Sequence, residues 1–282
     1  MTPAPEGLLL VDKPSGMTSH DAVDIVRRSL GTRKVGHAGT LDPMATGLLV
    51  LGVGRATRLL RYLGDLPKTY AATGRLGEET DTLDADGEIV RTAAVDVSLA
   101  ELRRACASVV GESEQTPPAY SAVKVGGRKL YEAARRGEVL EAPRRPIRVD
   151  AFDVVAFDGR DLEARITCSG GTYVRVLIAD VGRSLGCGAH LVGLRRTAIG
   201  SLRVEEARPP GDGALEPVER AVTHLPSIRL EAEEARAASH GRPLGPAGIP
   251  GPYAVLDPED ALVGIYRDRG PMARPEVILP RR

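Results

Sequence analysis

Along the chain, apolar residues switch between a period of two and a helical period at sites marked by Gly and Pro, and these switches predict the elements. Residues 7–11 form an apolar run that ends at Asp12-Lys13-Pro14-Ser15-Gly16, a strand entering a turn. Thr18 is placed to cap a helix carried by Val23, Val26 and Leu30, with Gly31 as its stop. Residues 36–47 (GHAGTLDPMATG) hold four Gly or Pro residues and no period, so they predict a loop, and 48–53 behind them predict a buried strand. Ala56, Leu59, Leu60 and Leu63 suggest a short helix ended by Gly64, with the next strand over 69–76.

Ser98-Leu-Ala-Glu101 has the form of a capping box ahead of Leu102, Cys106 and Val109, which predicts a helix closed by Gly111. Residues 147–157 and 162–168 are extended runs joined by Asp158-Gly159-Arg160-Asp161. In the second run Leu162, Ala164, Ile166 and Cys168 alternate with Glu163, Arg165 and Thr167, the pattern of an antiparallel hairpin with one wet face. Residues 169–172 lead into a helix through Val174, Leu177, Ile178, Val181 and Leu185, stopped by Gly186. Strands paired by hairpins, with helices interspersed, predict an α+β class rather than a doubly wound parallel sheet. The Pro/Gly-dense stretch 208–217 is the candidate linker. Residues 225–282, with strand-like runs at 254–256, 261–266 and 277–279, are too few to bury much core alone and are expected to dock on a larger domain spanning 1–224.

Composition narrows the class. In 282 residues, 42% hydrophobic and 27% charged, there is enough apolar material for a packed core and no case for wholesale disorder. No apolar run approaches the ~20 residues of a membrane span, and the N-terminus lacks a signal pattern, so the chain reads as cytoplasmic. Cys106, Cys168 and Cys187 fit neither a disulfide framework nor a CxxC pair, and read as buried thiols. The formal net charge is zero, yet residues 24–75 hold nine basic side chains against three acidic, and 120–149 hold eight against three. Residues 76–114 reverse the balance with ten acidic against three basic. Two basic blocks on a neutral chain can make a phosphate-binding face, or charges that simply mix on the surface.

No GxxxxGK[ST] loop, GxSxG elbow or histidine pair at i,i+4 is present, so nucleotide hydrolysis, serine-type hydrolysis and a zinc site have no sequence support. What stands out is a single carboxylate, Asp42, held in a Gly-rich loop between His37 and a buried strand. Read from the residues alone, such an aspartate is most simply a turn or cap residue.

The string GHAGTLDPMATGLL (36–49) resembles the signature loop of the TruB family of tRNA pseudouridine synthases. Further blocks match in order: GLLLVDKPSGMTSHD (7–21), KTYAATGRLGEETDTLDADGEIV (68–90), TPPAYSAVKVGGRKLYEAARRGE (116–138), CSGGTYVRVLIADVG (168–182) and LRRTAIG (194–200). The resemblance covers about residues 7–200 and implies a mixed, mainly antiparallel central sheet with flanking helices, followed by a small β-rich PUA-like RNA-binding domain. It implies cofactor-free and metal-free isomerisation of uridine 55 in the T-arm of tRNA, with the base flipped out of its stack.

By that resemblance Asp42 is the catalytic carboxylate, attacking C1′ or removing the C2′ proton. Arg175 pairs with it and is expected to lower its pKa, and Tyr70 packs on the uracil. His37 fills the place the base vacates, while Tyr173 and Leu194 line the substrate pocket. Arg58, Lys124, Arg128 and Lys129, with Arg135 and Arg136, are candidate phosphate contacts. Arg58 stands where many relatives have Lys, and Gly170 where a basic residue is common, a change expected to trim RNA affinity. The implied enzyme is a stand-alone monomer without guide RNA or membrane. Three competing readings remain: a non-catalytic tRNA chaperone of the same fold, a guide-RNA-dependent relative, and a glycoside hydrolase, which would need a second carboxylate.

Overall fold

The computed structural model describes residues 4–279 except 122, 135, 139 and 141. The punctuation read from the sequence forms as local physics requires. The first helix, Ser19–Ser29, opens on a reciprocal cap: the Asp21 amide donates to the Thr18 hydroxyl at 3.1 Å, and the Thr18 amide donates to the Asp21 carboxylate at 2.9 Å. Ser98 and Glu101 make the same box at the start of the Leu99–Ser108 helix. The expected short helix after residue 53 is split, into a 3-10 turn over Gly54–Arg58 and an α-helical turn over Leu60–Gly64.

A nine-stranded mixed sheet forms the larger part of the described structure. Its main path runs Gly7–Lys13, Thr46–Val53, Ala189–Ile199, Lys68–Leu76, Asp161–Cys168, Arg145–Phe157 and Gly111–Gln115. All these pairs are antiparallel except Thr46–Val53 with Ala189–Ile199. The mainly antiparallel α+β architecture is therefore as the pattern of hairpins and helices implied. Lys68–Leu76 is the central strand, and its alternate residues Tyr70, Ala72 and Leu76 pack with Leu102 and Cys106 of one helix and Leu177, Ile178 and Val181 of another. All three cysteines are buried free thiols.

A four-stranded sheet follows, ordered Ser227–Arg229, Pro252–Leu256, Leu262–Arg269 and Met272–Ile278. It docks as its size requires: Ala254, Ile265, Val277 and Leu279 share one apolar cluster with Leu8, Leu48, Leu59 and Leu63 of the large sheet and its helices. Arg58 Nη1 donates to the Ile278 carbonyl at 2.6 Å, and the Tyr62 hydroxyl donates to Glu276 at 3.0 Å.

One expectation needs correction. The 208–217 stretch is no free linker. It runs along the outer edge of Gly7–Lys13, where the Arg208 and Glu216 amides donate to the Leu10 and Leu8 carbonyls at 3.1 and 2.8 Å. Edge pairing needs only backbone groups, so Pro and Gly density did not forbid it, and the edge is covered. Gly170 also sits in a tightly packed turn. A Cβ there would overlap the Gly64 carbonyl oxygen, which also accepts from Lys68 Nζ at 2.7 Å. Gly170→Ala is expected to cost about 1–3 kcal/mol of stability, measured as a lower urea midpoint; an unchanged midpoint would show that this turn yields.

Candidate active site

The loop that carries Asp42 is rich in Gly and Pro, yet side chains from elsewhere satisfy its backbone and hold it. The Ser19 hydroxyl donates to the Leu41 carbonyl at 3.0 Å and accepts from the Leu41 amide at 2.8 Å. Lys13 Nζ, fully buried, donates to the Met17 carbonyl at 2.6 Å and the Pro43 carbonyl at 3.3 Å. Burial lowers its pKa to about 8, against the opposing pull of Asp42. Arg196, 1% exposed, donates from Nε to the Leu48 carbonyl (2.7 Å) and from Nη2 to the Gly39 carbonyl (3.1 Å). A short strand, Val35–His37, precedes the loop, so the irregular stretch is shorter than its composition suggested.

Asp42 faces a cleft of about 240 Å3 whose wall includes Lys68, Tyr70, Ser121, Arg145, Tyr173, Arg175, Leu194 and Arg196. Its side chain is 37% exposed, while that of Arg175 is only 5% exposed. Arg175 Nη2 lies 3.4 Å from Asp42 Oδ2 and donates to the Tyr120 carbonyl at 2.7 Å. Nη1 donates to Asp84 Oδ2 at 2.8 Å. The guanidinium thus bridges two carboxylates and a carbonyl, a use of its fork that an ammonium cannot reproduce.

Asp84 is itself fixed. Its Oδ1 accepts from the Thr82 hydroxyl at 2.6 Å, and the preceding residue, Leu83, sits at φ 65° in the left-handed region. Strain of that kind persists where the surroundings over-determine it.

The expected lowering of the Asp42 pKa by Arg175 is reversed in net effect. Burial dominates and raises it, Arg175 opposes this, and Asp84 and Asp86 raise it further. Tyr70 is 6% exposed, and burial raises its phenol above the ordinary value, with Arg196 opposing. Its hydroxyl is therefore protonated at neutral pH and presents a ring and a neutral O–H.

Tyr173 caps the Val174–Ser184 helix; its amide donates to the Gln115 side chain at 2.8 Å, and its ring centroid lies 5.8 Å from the Arg175 guanidinium carbon. Leu194 lines the cleft, where Tyr70 and Arg196 are register partners on adjacent strands. His37 stands apart from this wall, before the loop; its Nδ1 is buried without a hydrogen-bond partner among the described residues, and burial lowers its pKa. Arg58 is engaged by the Ile278 carbonyl, and Arg128 pairs with Glu138 at 2.6 Å. Lys124 is exposed. Arg135 and the Lys129 side chain lie outside the described residues.

Sequence reasoning missed Asp84 and Arg196 as members of the site, along with Lys68, Ser121 and the exposed Arg145 at its rim. Both arginines of the 194–200 block were visible, and their alternation on one strand separates them: Arg195 pairs outward with Asp12 at 2.7 Å, while Arg196 turns inward.

Comparison with known proteins agrees with this architecture. The TruB family pseudouridylate synthase N-terminal domain profile matches residues 27–174, and the tRNA pseudouridine synthase II C-terminal profile matches 225–280. The chain is 46% identical over 286 residues to the tRNA pseudouridine synthase B of Mycobacterium sp. (strain KMS), covering 98% of this chain and 96% of that protein. It is 42% identical to the protein of the same name from Mycobacterium tuberculosis (strain ATCC 25618 / H37Rv), covering 97% and 95%. A chain of the Cbf5-Nop10-Gar1 crystal structure superposes with TM-score 0.76 and 27% identity, over 98% of this chain and 85% of that one.

Fold and matches together define a pseudouridine synthase, an isomerase that acts on RNA. Within that class, the chain belongs to the TruB family.

Proposed function

We propose that the protein converts the uridine at position 55, in the T-arm of tRNA, into pseudouridine, with Asp42 as the catalytic carboxylate. The observation that carries the reading is the Asp42–Arg175–Asp84 chain: one cleft-facing carboxylate oriented by a buried guanidinium that a second carboxylate holds in place. The relatives' name, tRNA pseudouridine synthase B, supports the substrate class.

The cleft is smaller than the ~300–1,000 Å3 of ordinary ligand pockets. It suits one extruded base rather than a stacked or paired one, so the target flips into it at a cost of a few kcal/mol. Asp42 then either bonds to C1′ or takes the C2′ proton to leave a glycal, and in both cases the N1–C1′ bond breaks. The uracil turns against the Tyr70 ring and C5 bonds to C1′; as it does so the Asp42–C1′ bond breaks and frees the carboxylate, or, on the glycal route, Asp42 returns its proton to C2′. In both cases the proton leaving C5 is balanced by one gained at N1. Atoms and charge are conserved, so the route calls for no cofactor or metal. Arg145 at the rim, with Lys124 and the neighbouring basic side chains, offers the phosphate contacts. Residues 225–282 act as a PUA-like RNA-binding domain, and the enzyme works as a monomer without guide RNA.

The test is tritium release from a T-arm stem-loop labelled at uridine C5, with EDTA present and no cofactor. Release is expected from the wild-type protein. Tight binding without release would overturn the reading in favour of a non-catalytic tRNA chaperone.

A further inference from the structure

Four buried side-chain polar atoms lack a hydrogen-bond partner among the described residues: Arg27 Nε, His37 Nδ1, Ser121 Oγ and Arg175 Nε. Two of these residues, Ser121 and Arg175, stand on the wall of the Asp42 cleft. Arg175 is already accounted for by its carboxylates. Ser121 is not: it is 5% exposed, and its hydroxyl has no hydrogen-bond partner among the described residues. A buried hydroxyl without a partner is costly and rarely retained, so such a group at the wall of a substrate cleft calls for a ligand atom.

We infer that Ser121 is a substrate-binding residue whose hydroxyl bonds the 2′-hydroxyl of the flipped nucleotide, making the cleft selective for ribose over deoxyribose. The inference deepens the pseudouridine reading and rests on it. Placement on the sugar side follows from the shared guanidinium. Arg175 Nη2 touches both Asp42 and the Tyr120 carbonyl, so the next residue, Ser121, flanks the carboxylate that must act at C1′ or C2′. The base belongs on the Tyr70 side, where Arg196 lies. The 2′-hydroxyl is the polar group of the sugar nearest those carbons, and as both donor and acceptor it matches a serine hydroxyl.

The geometry around Ser121 is fixed in advance of any ligand. The Tyr120 carbonyl is held by Arg175, and the Ser121 carbonyl accepts from the Tyr131 amide at 3.1 Å. The hydroxyl is enclosed in the empty cleft, so a rotation about the Ser121 Cα–Cβ bond is what brings it to the substrate, while the backbone that carries it is already held through these two carbonyls.

The test uses stem-loops carrying either uridine or 2′-deoxyuridine at the target, bound to Asp42→Asn protein so that nothing turns over. This protein is expected to bind the ribose form about three- to tenfold more tightly, the scale of one neutral hydrogen bond. Asp42→Asn/Ser121→Ala should lose that factor on the ribose form and show no preference between the two RNAs. Asp42→Asn/Ser121→Thr, which keeps the hydroxyl, should restore the preference. Weakening by the same factor on both RNAs, or a preference that survives in the alanine protein, would overturn the inference. Tritium release by the wild-type protein from the uridine stem-loop separates the two levels. Its absence overturns the pseudouridine reading and this one together; release accompanied by an undiminished preference overturns only the role of Ser121.

Discussion

Asp42→Asn is expected to abolish tritium release, by at least about 10³-fold, the scale on which loss of a group acting in the transition state registers. Affinity for the stem-loop should stay within a few-fold. The amide keeps the shape of the carboxylate, and Arg175 retains Asp84 and the Tyr120 carbonyl. The same change should raise stability at neutral pH. Burial holds the Asp42 pKa above its ordinary value, so the folded state binds the Asp42 proton more readily than the unfolded chain does, and ionisation costs stability. That cost is absent below the ordinary carboxylate pKa of about 4 and grows as pH rises through the folded value. Thermal melts of the two proteins should therefore diverge above that window and converge below it. Retained turnover would remove Asp42 from the chemistry; melts that differ equally at every pH would remove the electrostatic account of its cost.

The parts of this site that were legible in the sequence are those whose physics is local. Thr18 and Asp21, or Ser98 and Glu101, meet three residues apart, and a helix start needs nothing more. Asp42 was legible as an oddity, a lone acid in a loop without period, and the resemblance of its surroundings gave it a role. Asp84 was not legible, because its partner Arg175 lies 91 residues onward and the acidic block around it reads as a counterweight to the basic ones. Arg196 was hidden in the same way: it props a loop about 150 residues before it through carbonyls, which have no sequence signal at all. The 208–217 stretch misled for the complementary reason, since an edge strand can be covered by backbone alone.

The sign of the Asp42 pKa depended on burial, which no residue pattern states. Arg175 beside a carboxylate lowers its pKa only relative to the same carboxylate without the arginine; the cleft walls raise it by more. An enzyme that needs this group ionised therefore depends on the guanidinium to keep it so.

Arg175→Lys puts that dependence to the test. The ammonium keeps the charge, but it cannot hold Asp84 at 2.8 Å, the Tyr120 carbonyl at 2.7 Å and Asp42 at 3.4 Å together. Turnover is expected to fall about 10²-fold, the cost of a catalytic group slightly misplaced, with stem-loop affinity little changed. The acid limb of the rate against pH should move as well. With Asp42 in its proposed role, activity is expected to rise with pH as Asp42 ionises, and a cation that is further away or less well aligned favours the charged form less. The limb therefore shifts to higher pH, and part of the lost rate returns in alkaline buffer. Arg175→Met goes further, because it leaves Asp84, 4% exposed, as a buried charge without its cation, at a cost of about 3–5 kcal/mol. Its urea midpoint should drop where that of the lysine protein does not. A lysine protein with reduced turnover and an unmoved acid limb would make Arg175 a structural tie only, and would require another source for the ionised state of Asp42.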